Sequence, residues 1–139
     1  MKVILDTCVV SEIQRSQGRQ QVRAQVERIA DDDLYLSVIT IGEIAKGVAL
    51  LPSGKRKSEL QQWMQSLEQH YADRILPINN ETAQIWGTVT ANAQQAGTII
   101  PMADGLIAAT AIQNGMHIMT RNTDHFQATG ALVIDPWNK

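Results

Sequence analysis

The sequence VILDT, residues 3–7, places a carboxylate directly after a short apolar run. Three consecutive aliphatic side chains bounded by a polar residue are typical of a strand that is covered on both faces of a parallel sheet. In open parallel sheets, ligands bind beyond the carboxyl ends of the strands, which is where Asp6 falls. Asp6 is therefore the first candidate functional residue, although a carboxylate here is also suited to capping a following helix.

Other short segments rich in Val, Ile and Leu repeat this strand pattern along the chain. The predicted strands are residues 2–5, 34–39, 74–78, 117–120 and 131–134. Between them, apolar residues at helical spacing predict helices over residues 21–29, 60–71, 80–96 and 103–113. This alternation predicts an α/β fold, a three-layer α/β/α sandwich around a mostly parallel sheet of four or five strands.

Composition limits the class of protein. A chain of 139 residues with 44% hydrophobic and 19% charged residues fits one globular domain. A formal net charge of -2 argues against a protein that coats nucleic acid non-specifically, so any nucleic-acid contact is expected to be focused. One cysteine, Cys8, cannot form an internal disulfide, and no apolar run approaches the roughly 20 residues of a membrane span. We expect a soluble cytoplasmic protein without a membrane partner.

Oxygen-bearing side chains follow several of the predicted strands. Asp6 ends the first strand, Glu43 lies early in the helix after the second, and Asp104 opens the helix before the fourth. Asn122 and Asp124 come directly after the fourth strand. Because carboxylates repel one another unless a cation joins them, this pattern predicts a site for a hard divalent ion. Mg²⁺ is the expected ion, with Mn²⁺ as the alternative.

Each of these residues also has a structural explanation. Glu43 follows Thr40 at the spacing of an N-terminal capping box. Asp104 would complement a helix dipole, and Asn122 or Asp124 would suit a turn. Separate explanations for all of them together are less probable than a shared site.

Four blocks of the sequence resemble those of a known family. The blocks are VILDTCVVSE (residues 3–12), LSVITIGEIAKGV (36–48), PMADGLIAATA (101–111) and TRNTDHF (120–126). In order and spacing they are similar to PIN domains of the VapC toxins, in particular the FitB-like subgroup, over essentially the whole chain. The resemblance implies a single PIN domain over residues 1–139. It further implies the toxin of a bacterial type II toxin-antitoxin system, a metal-dependent endoribonuclease that hydrolyses RNA phosphodiester bonds.

The resemblance also implies partners. A cognate VapB-type antitoxin inhibits toxins of this family, and operator DNA is bound only through the antitoxin. The toxins usually form homodimers, with higher assembly when the antitoxin binds. Their substrates are structured RNAs, often transfer RNA.

Carried over block by block, the acidic site falls on Asp6, Glu43 and Asp104, with the fourth position on Asn122. We expect Asp6 and Asp104 to bind the metal directly. Glu43 would bind it through water or accept the proton of the attacking water. Asp124 is a candidate to supply the charge that Asn122 lacks.

Candidate substrate contacts surround these residues. Thr7 and Thr120 are placed to hydrogen-bond the carboxylates or a phosphate, while Lys46 and Arg121 are the basic residues closest in sequence to Glu43 and Asn122. Arg121 is favoured by its position beside Asn122.

Two departures from the family pattern keep a second function open. Cys8 stands where the family usually has Asn, and Asn122 where it more often has Asp. We expect Cys8 to be structural. A catalytically weak or inactive PIN domain that serves as an antitoxin-binding, regulatory protein is therefore the alternative.

Two other folds that place Asp after a first strand fit less well. A dehalogenase-type phosphatase needs a second Asp where this chain has Cys8. A receiver domain needs an acceptor Asp after its third strand, where this chain has Pro77, Asn79 and Asn80.

Overall fold

Five short strands form a single sheet in a computed structural model that describes residues 1–138. They are β1 (Val3–Leu5), β2 (Leu34–Ser37), β3 (Ile75–Leu76), β4 (His117–Met119) and β5 (Val133–Ile134). Their order is β3-β2-β1-β4-β5, and every neighbouring pair is parallel. The predicted α/β class is confirmed, and the sheet has the larger of the two expected strand numbers.

Seven α-helices connect the strands within residues 1–138. They are α1 (Thr7–Gln14), α2 (Gln20–Glu27), α3 (Val38–Ala49), α4 (Lys55–His70), α5 (Asn80–Gln95), α6 (Met102–Asn114) and α7 (Thr123–Gln127). A 3₁₀ turn at Asp31–Asp33 precedes β2. None of these helices is long and apolar enough to cross a membrane.

Alternation along β1 divides the core between the two faces of the sheet. Val3 and Leu5 pack into one cluster, which receives side chains from α1 to α4. Ile4 points to the opposite face, where it packs with Ile107 of α6 and Phe126 of α7. All three β1 side chains are fully buried, which explains why the first strand of the sequence is apolar without interruption.

The start of α3 differs from the capping box that the sequence suggested. Ser37 is the N-cap, and its Oγ accepts a hydrogen bond from the Ile39 backbone N–H at 3.0 Å. Thr40 is already the third residue of the helix and is fully buried. Glu43 consequently lies in the second turn, where it has no capping role.

The ends of α6 agree with the sequence pattern. Pro101 immediately precedes the helix, and Asp104 lies in its first turn. The helix terminates at Gly115, whose φ of 66° is in the left-handed region that glycine adopts without strain. Asp104 is thereby fixed at the end of α6 that faces the carboxyl edge of the sheet.

Candidate active site

The strand order creates a crevice between β1 and β4. The chain passes from β1 outward to β2 and β3, then returns to the other side of β1 to form β4 and β5. Such a reversal leaves an opening at the carboxyl ends of the two central strands. Asp6 follows β1 at this point, and its backbone N–H donates to Met119 O of β4 at 2.9 Å.

The Asp6 side chain is buried and bonded on both oxygens. Only 3% of the residue is exposed. Its Oδ1 accepts from the Thr7 backbone N–H at 2.8 Å, and its Oδ2 accepts from the Thr120 hydroxyl at 2.7 Å. The Cys8 thiol also donates to Oδ2, at 3.5 Å. Asp6 is the N-cap of α1, so the structural role and the site position coincide.

Burial raises the pKa of the Asp6 carboxyl above its usual value. The negative charge of Asp104 raises it further, while the hydrogen bonds from Thr120, Thr7 and Cys8 oppose the shift. The two carboxylates are therefore close enough to repel each other. A cation between them would relieve both the repulsion and the desolvation.

Thr7 links Asp6 to Glu43. The Thr7 hydroxyl donates to Glu43 Oε1 at 2.5 Å and lies 3.0 Å from the Thr40 hydroxyl. Glu43 is exposed, and with Thr7 and Ser11 it lines a cavity of about 180 Å³. Lys46 lies exposed farther along α3 and is not among the residues that line this cavity.

Asp104 has a partner that the sequence did not indicate. His125 Nδ1 lies 2.8 Å from Asp104 Oδ2, and the Asp104 side chain is 15% exposed against 41% for His125. The pair joins the first turn of α6 to α7. The only sequence signal for it is that His125 belongs to the same TRNTDHF block as Asn122.

The residues after β4 line a second cavity, of about 230 Å³. They are Arg121, Asn122, Thr123, Asp124 and His125. The Asn122 backbone N–H donates to the Thr120 hydroxyl at 2.9 Å, while its exposed side chain makes no capping bond to α7. Asp124 is exposed in the first turn of α7.

The Cys8 thiol belongs to the base of the site. It accepts a hydrogen bond from the Arg121 backbone N–H at 3.4 Å and lies 3.8 Å from the Thr120 hydroxyl. Burial, together with the charge of Asp6, raises the pKa of the thiol to about 11. Cys8 is thus a neutral thiol at physiological pH that helps to join β1 to the segment after β4.

The oxygen ligands of the site suit a hard divalent cation that needs few protein ligands. Within residues 1–138, no three His, Cys, Asp or Glu side chains are grouped closely enough to hold a metal ion together. Mg²⁺ does not require such a cage, because it keeps several waters and is usually bound by one or two carboxylates plus substrate phosphates. Asp6 and Asp104, coupled through their charges, meet that requirement.

Comparison with known proteins gives a consistent result. The profile of the PIN domain family matches residues 3–132. Toxin FitB of Neisseria gonorrhoeae is 40% identical over 137 residues, which cover 98% of this chain and 99% of FitB. VapC ribonuclease Y4jK of Sinorhizobium fredii is 35% identical over 136 residues, which cover 97% of each chain.

Solved structures show the same likeness in three dimensions. A chain in the structure of FitAB bound to an IR36 DNA fragment superposes with a TM-score of 0.93 at 42% identity, covering 97% of this chain and 95% of that one. The crystal structure of FitAcB from Neisseria gonorrhoeae gives the same TM-score at 40% identity, over 99% of both chains.

Proposed function

This chain belongs to the PIN domain family, and from that premise we propose that it is the toxin of a type II toxin-antitoxin pair, acting as an endoribonuclease. Its substrate is RNA, whose phosphodiester bonds it hydrolyses. The observation that carries the proposal is the buried carboxylate of Asp6 at the crevice between β1 and β4, electrostatically coupled to Asp104. The catalytic unit is one PIN domain over residues 1–139, working in the cytoplasm.

Asp6 and Asp104 are the residues that would hold Mg²⁺, with Mn²⁺ as the alternative. When bound, the ion supplies Lewis-acid stabilisation of the charge that develops on the phosphate. Thr120 and the Thr7 backbone N–H fix the orientation of Asp6. His125 fixes Asp104 in the same way. Carboxylates held by such partners need no rearrangement when substrate arrives.

Glu43 is the candidate for accepting the proton of the attacking water. Its Oε1 is bonded to Thr7, which leaves Oε2 free on an exposed side chain at the edge of the site. A new bond forms between the water oxygen and phosphorus while the bond from phosphorus to the 3′ oxygen breaks. The 3′ oxygen leaves with the electron pair and takes a proton from solvent. The products carry a 5′-phosphate and a 3′-hydroxyl.

The remaining site residues have distinct expected tasks. Thr7 and Thr120 orient carboxylates, because their hydroxyls are already bonded to Glu43 and Asp6. Arg121 contacts an RNA phosphate from the cavity after β4, where Asn122 offers an amide oxygen and Asp124 a negative charge. Lys46 contacts RNA farther from the scissile bond.

Relatives suggest how the toxin is controlled. FitAB has been solved bound to an IR36 DNA fragment, VapBC2 of Rickettsia felis bound to a DNA fragment from its promoter, and another structure is a toxin-antitoxin complex from Klebsiella pneumoniae. By analogy this chain binds a VapB-type antitoxin that inhibits it, forms a homodimer, and meets operator DNA only through the antitoxin. Its RNA substrate would be structured, with transfer RNA as the first to test.

Purified, antitoxin-free protein incubated with bacterial RNA tests the proposal directly. We expect cleavage with Mg²⁺, no cleavage with a chelator, and fragments whose 5′-phosphates permit ligation. Asp104→Asn should abolish cleavage, while Asp32→Asn should not, since Asp32 is an exposed carboxylate before β2, at the opposite edge of the sheet. Folded wild-type protein that cleaves no RNA would favour the alternative, an inactive antitoxin-binding PIN domain.

Expression without antitoxin gives the matching test in cells. Growth arrest by the wild-type chain and normal growth with Asp6→Ala would connect toxicity to the crevice. Equal growth with both chains would count against a toxin.

A further inference from the structure

A turn after β5 lies against the site. We name residues 135–137 the post-β5 turn. Within it, the Trp137 backbone N–H donates to Asp135 Oδ1 at 2.9 Å. From α2, Gln21 Nε2 donates to Pro136 O at 3.2 Å and to Trp137 O at 2.5 Å. Hydrogen bonds from a helix thus fix the backbone that carries Trp137.

The Arg121 guanidinium lies over the Trp137 ring. The Arg121 guanidinium carbon lies 5.3 Å from the centroid of the ring. Trp137 is also partly buried and packs against the core cluster of β1 and α1 to α4. Stacking occupies only the face of a guanidinium and leaves the N–H groups on its edge available.

Arg121 lacks any anionic partner within the described residues. The structure of residues 1–138 gives its guanidinium no ion pair and no hydrogen bond, in contrast to Arg15 and Arg74. Its backbone N–H is meanwhile bonded to the Cys8 thiol, beside Asp6. A cation with free donors is thereby fixed at the rim of the cavity of about 230 Å³.

The local charge makes such a cation necessary. Asp6, Glu43, Asp104 and Asp124 all lie around the crevice and repel an RNA backbone. The whole chain has a net charge of -2, so attraction to RNA must come from particular basic residues.

We propose that Trp137 is a positioning residue that holds Arg121 for contact with an RNA phosphate next to the scissile bond. The proposal rests on the endoribonuclease function proposed above. The match to the PIN domain model ends at residue 132, before the post-β5 turn begins. The turn would add an RNA contact to the part of the chain that this match covers.

The dependence of RNA binding on salt is the decisive measurement, because Trp137 carries no charge. We would measure Kd for a short fluorescein-labelled RNA at several KCl concentrations, with Ca²⁺ replacing Mg²⁺ to suppress cleavage. Trp137→Ala should weaken binding about two- to fivefold, the factor that an exposed cation–π contact supplies. It should also lower the slope of log K against log salt by about 0.7, the value for one lost contact to single-stranded RNA.

Further variants separate positioning from other roles. Arg121→Ala should give the same loss of slope, and Trp137→Ala in that background should cause no further loss of affinity. Trp137→Phe, which keeps an aromatic face, should restore most of the binding. In cleavage assays with Mg²⁺, Trp137→Ala should raise KM and leave kcat nearly unchanged.

Two results would overturn the inference. An unchanged salt slope in Trp137→Ala would show that Arg121 keeps its contact without the ring. Additive losses in the double variant would show that Trp137 acts independently of Arg121, for example by stacking on a base. Arg28→Ala is the control, because this exposed arginine ends α2 before β2, at the opposite edge of the sheet.

Failure of the underlying function would look different. A wild-type chain that neither binds nor cleaves RNA would remove the proposed function and this inference with it. A wild-type chain that cleaves RNA, with Trp137→Ala unchanged in Kd, slope and KM, would remove the inference alone.

Discussion

Asp6 and Glu43 both bond to Thr7, yet their surroundings are opposite. The Thr7 backbone N–H donates to Asp6, and its hydroxyl donates to Glu43. Asp6 is almost completely buried and has a raised pKa, whereas Glu43 is exposed on the second turn of α3. One residue thus connects a carboxylate that the fold holds at an energetic cost to one that water stabilises.

The difference indicates a division of labour. A buried carboxylate with fixed hydrogen bonds is suited to a metal ligand, because its position is set before the ion arrives. An exposed carboxylate at the rim can exchange protons with solvent, as a general base must. Equal responses of Asp6 and Glu43 to neutral substitution would contradict this division.

Neutral substitution of the two carboxylates should give the largest effect. Asp6→Asn should lower kcat/KM by about 10³-fold, since several kcal/mol of charge stabilisation depend on the ion. Glu43→Gln should lower it by about 10²-fold and leave Mn²⁺ binding nearly intact. Cleavage assays and Mn²⁺ titration by electron paramagnetic resonance would measure both. Loss of Mn²⁺ binding in Glu43→Gln would make Glu43 a direct ligand.

Removing the partner of Asp104 should have the next largest effect. His125→Ala should weaken Mn²⁺ binding about tenfold, the lower end of the range for groups that orient a ligand. His125→Asn keeps a donor near the position of Nδ1 and should retain most of the affinity.

His70 provides the control, because it pairs with Asp31 at 2.9 Å on the far side of the fold. His70→Ala should leave Mn²⁺ binding unchanged. Equal effects of His70→Ala and His125→Ala would show that the Asp104 pair has no special role at the site.

The burial of Asp6 should be visible in stability as well. Because the folded-state pKa of Asp6 is raised, the native protein binds its proton more tightly than the unfolded chain does. The free energy of unfolding should therefore fall as the pH rises from the pKa of Asp6 in the unfolded chain toward its higher pKa in the folded protein. The loss persists above that higher pKa. Asp6→Asn removes this loss at neutral pH and should raise Tm by about 3 °C for each 1 kcal/mol regained.

Calorimetry without metal, at pH 7 and at low pH, would test this. Glu43→Gln, with its exposed side chain, should leave Tm within about 1 °C of wild type. A lower Tm for Asp6→Asn at pH 7 would mean that its hydrogen bonds outweigh its desolvation.

Cys8 is half-buried beside Asp6 and should react slowly. With its pKa raised to about 11, the thiol is protonated at neutral pH, and only the thiolate attacks an alkylating agent. The rate of reaction with iodoacetamide should rise about tenfold per pH unit well beyond pH 9. Mass spectrometry over a pH series would measure it. A plateau near pH 9 would indicate an ordinary, accessible thiol.

Local sequence patterns predicted much of the fold. The apolar run that ends at Asp6 predicted β1 and its place at the site, and Pro101 with Gly115 bounded α6 to within a residue or two. These signals are local because a strand between two helix layers is apolar throughout and because helix ends have their own preferences. The start of α3 was wrong, since Ser37 and Thr40 are both good caps and only the end of β2 decides between them.

Contacts between distant segments could not be inferred in the same way. His125 contacts Asp104, which lies 21 positions away in the sequence, and Arg121 contacts Trp137, which follows β5. No sequence spacing predicts either contact, because both depend on how α7 and the post-β5 turn pack against the sheet. From sequence, Asp6 and Asp104 were placed in one site by their positions after a strand and at a helix start, and the resemblance between blocks gave the same pair; in the structure the charge of Asp104 acts on Asp6.

The strand order also determines when, during synthesis, the candidate active site can form. β1 is translated near the start of synthesis, but its neighbour β4 emerges more than a hundred residues later, and Asp6 pairs with Met119 only then. A nascent chain still lacking β4 has no crevice and no Thr120 to orient Asp6. The ribosome therefore completes nearly the whole polypeptide before the proposed catalytic centre can assemble.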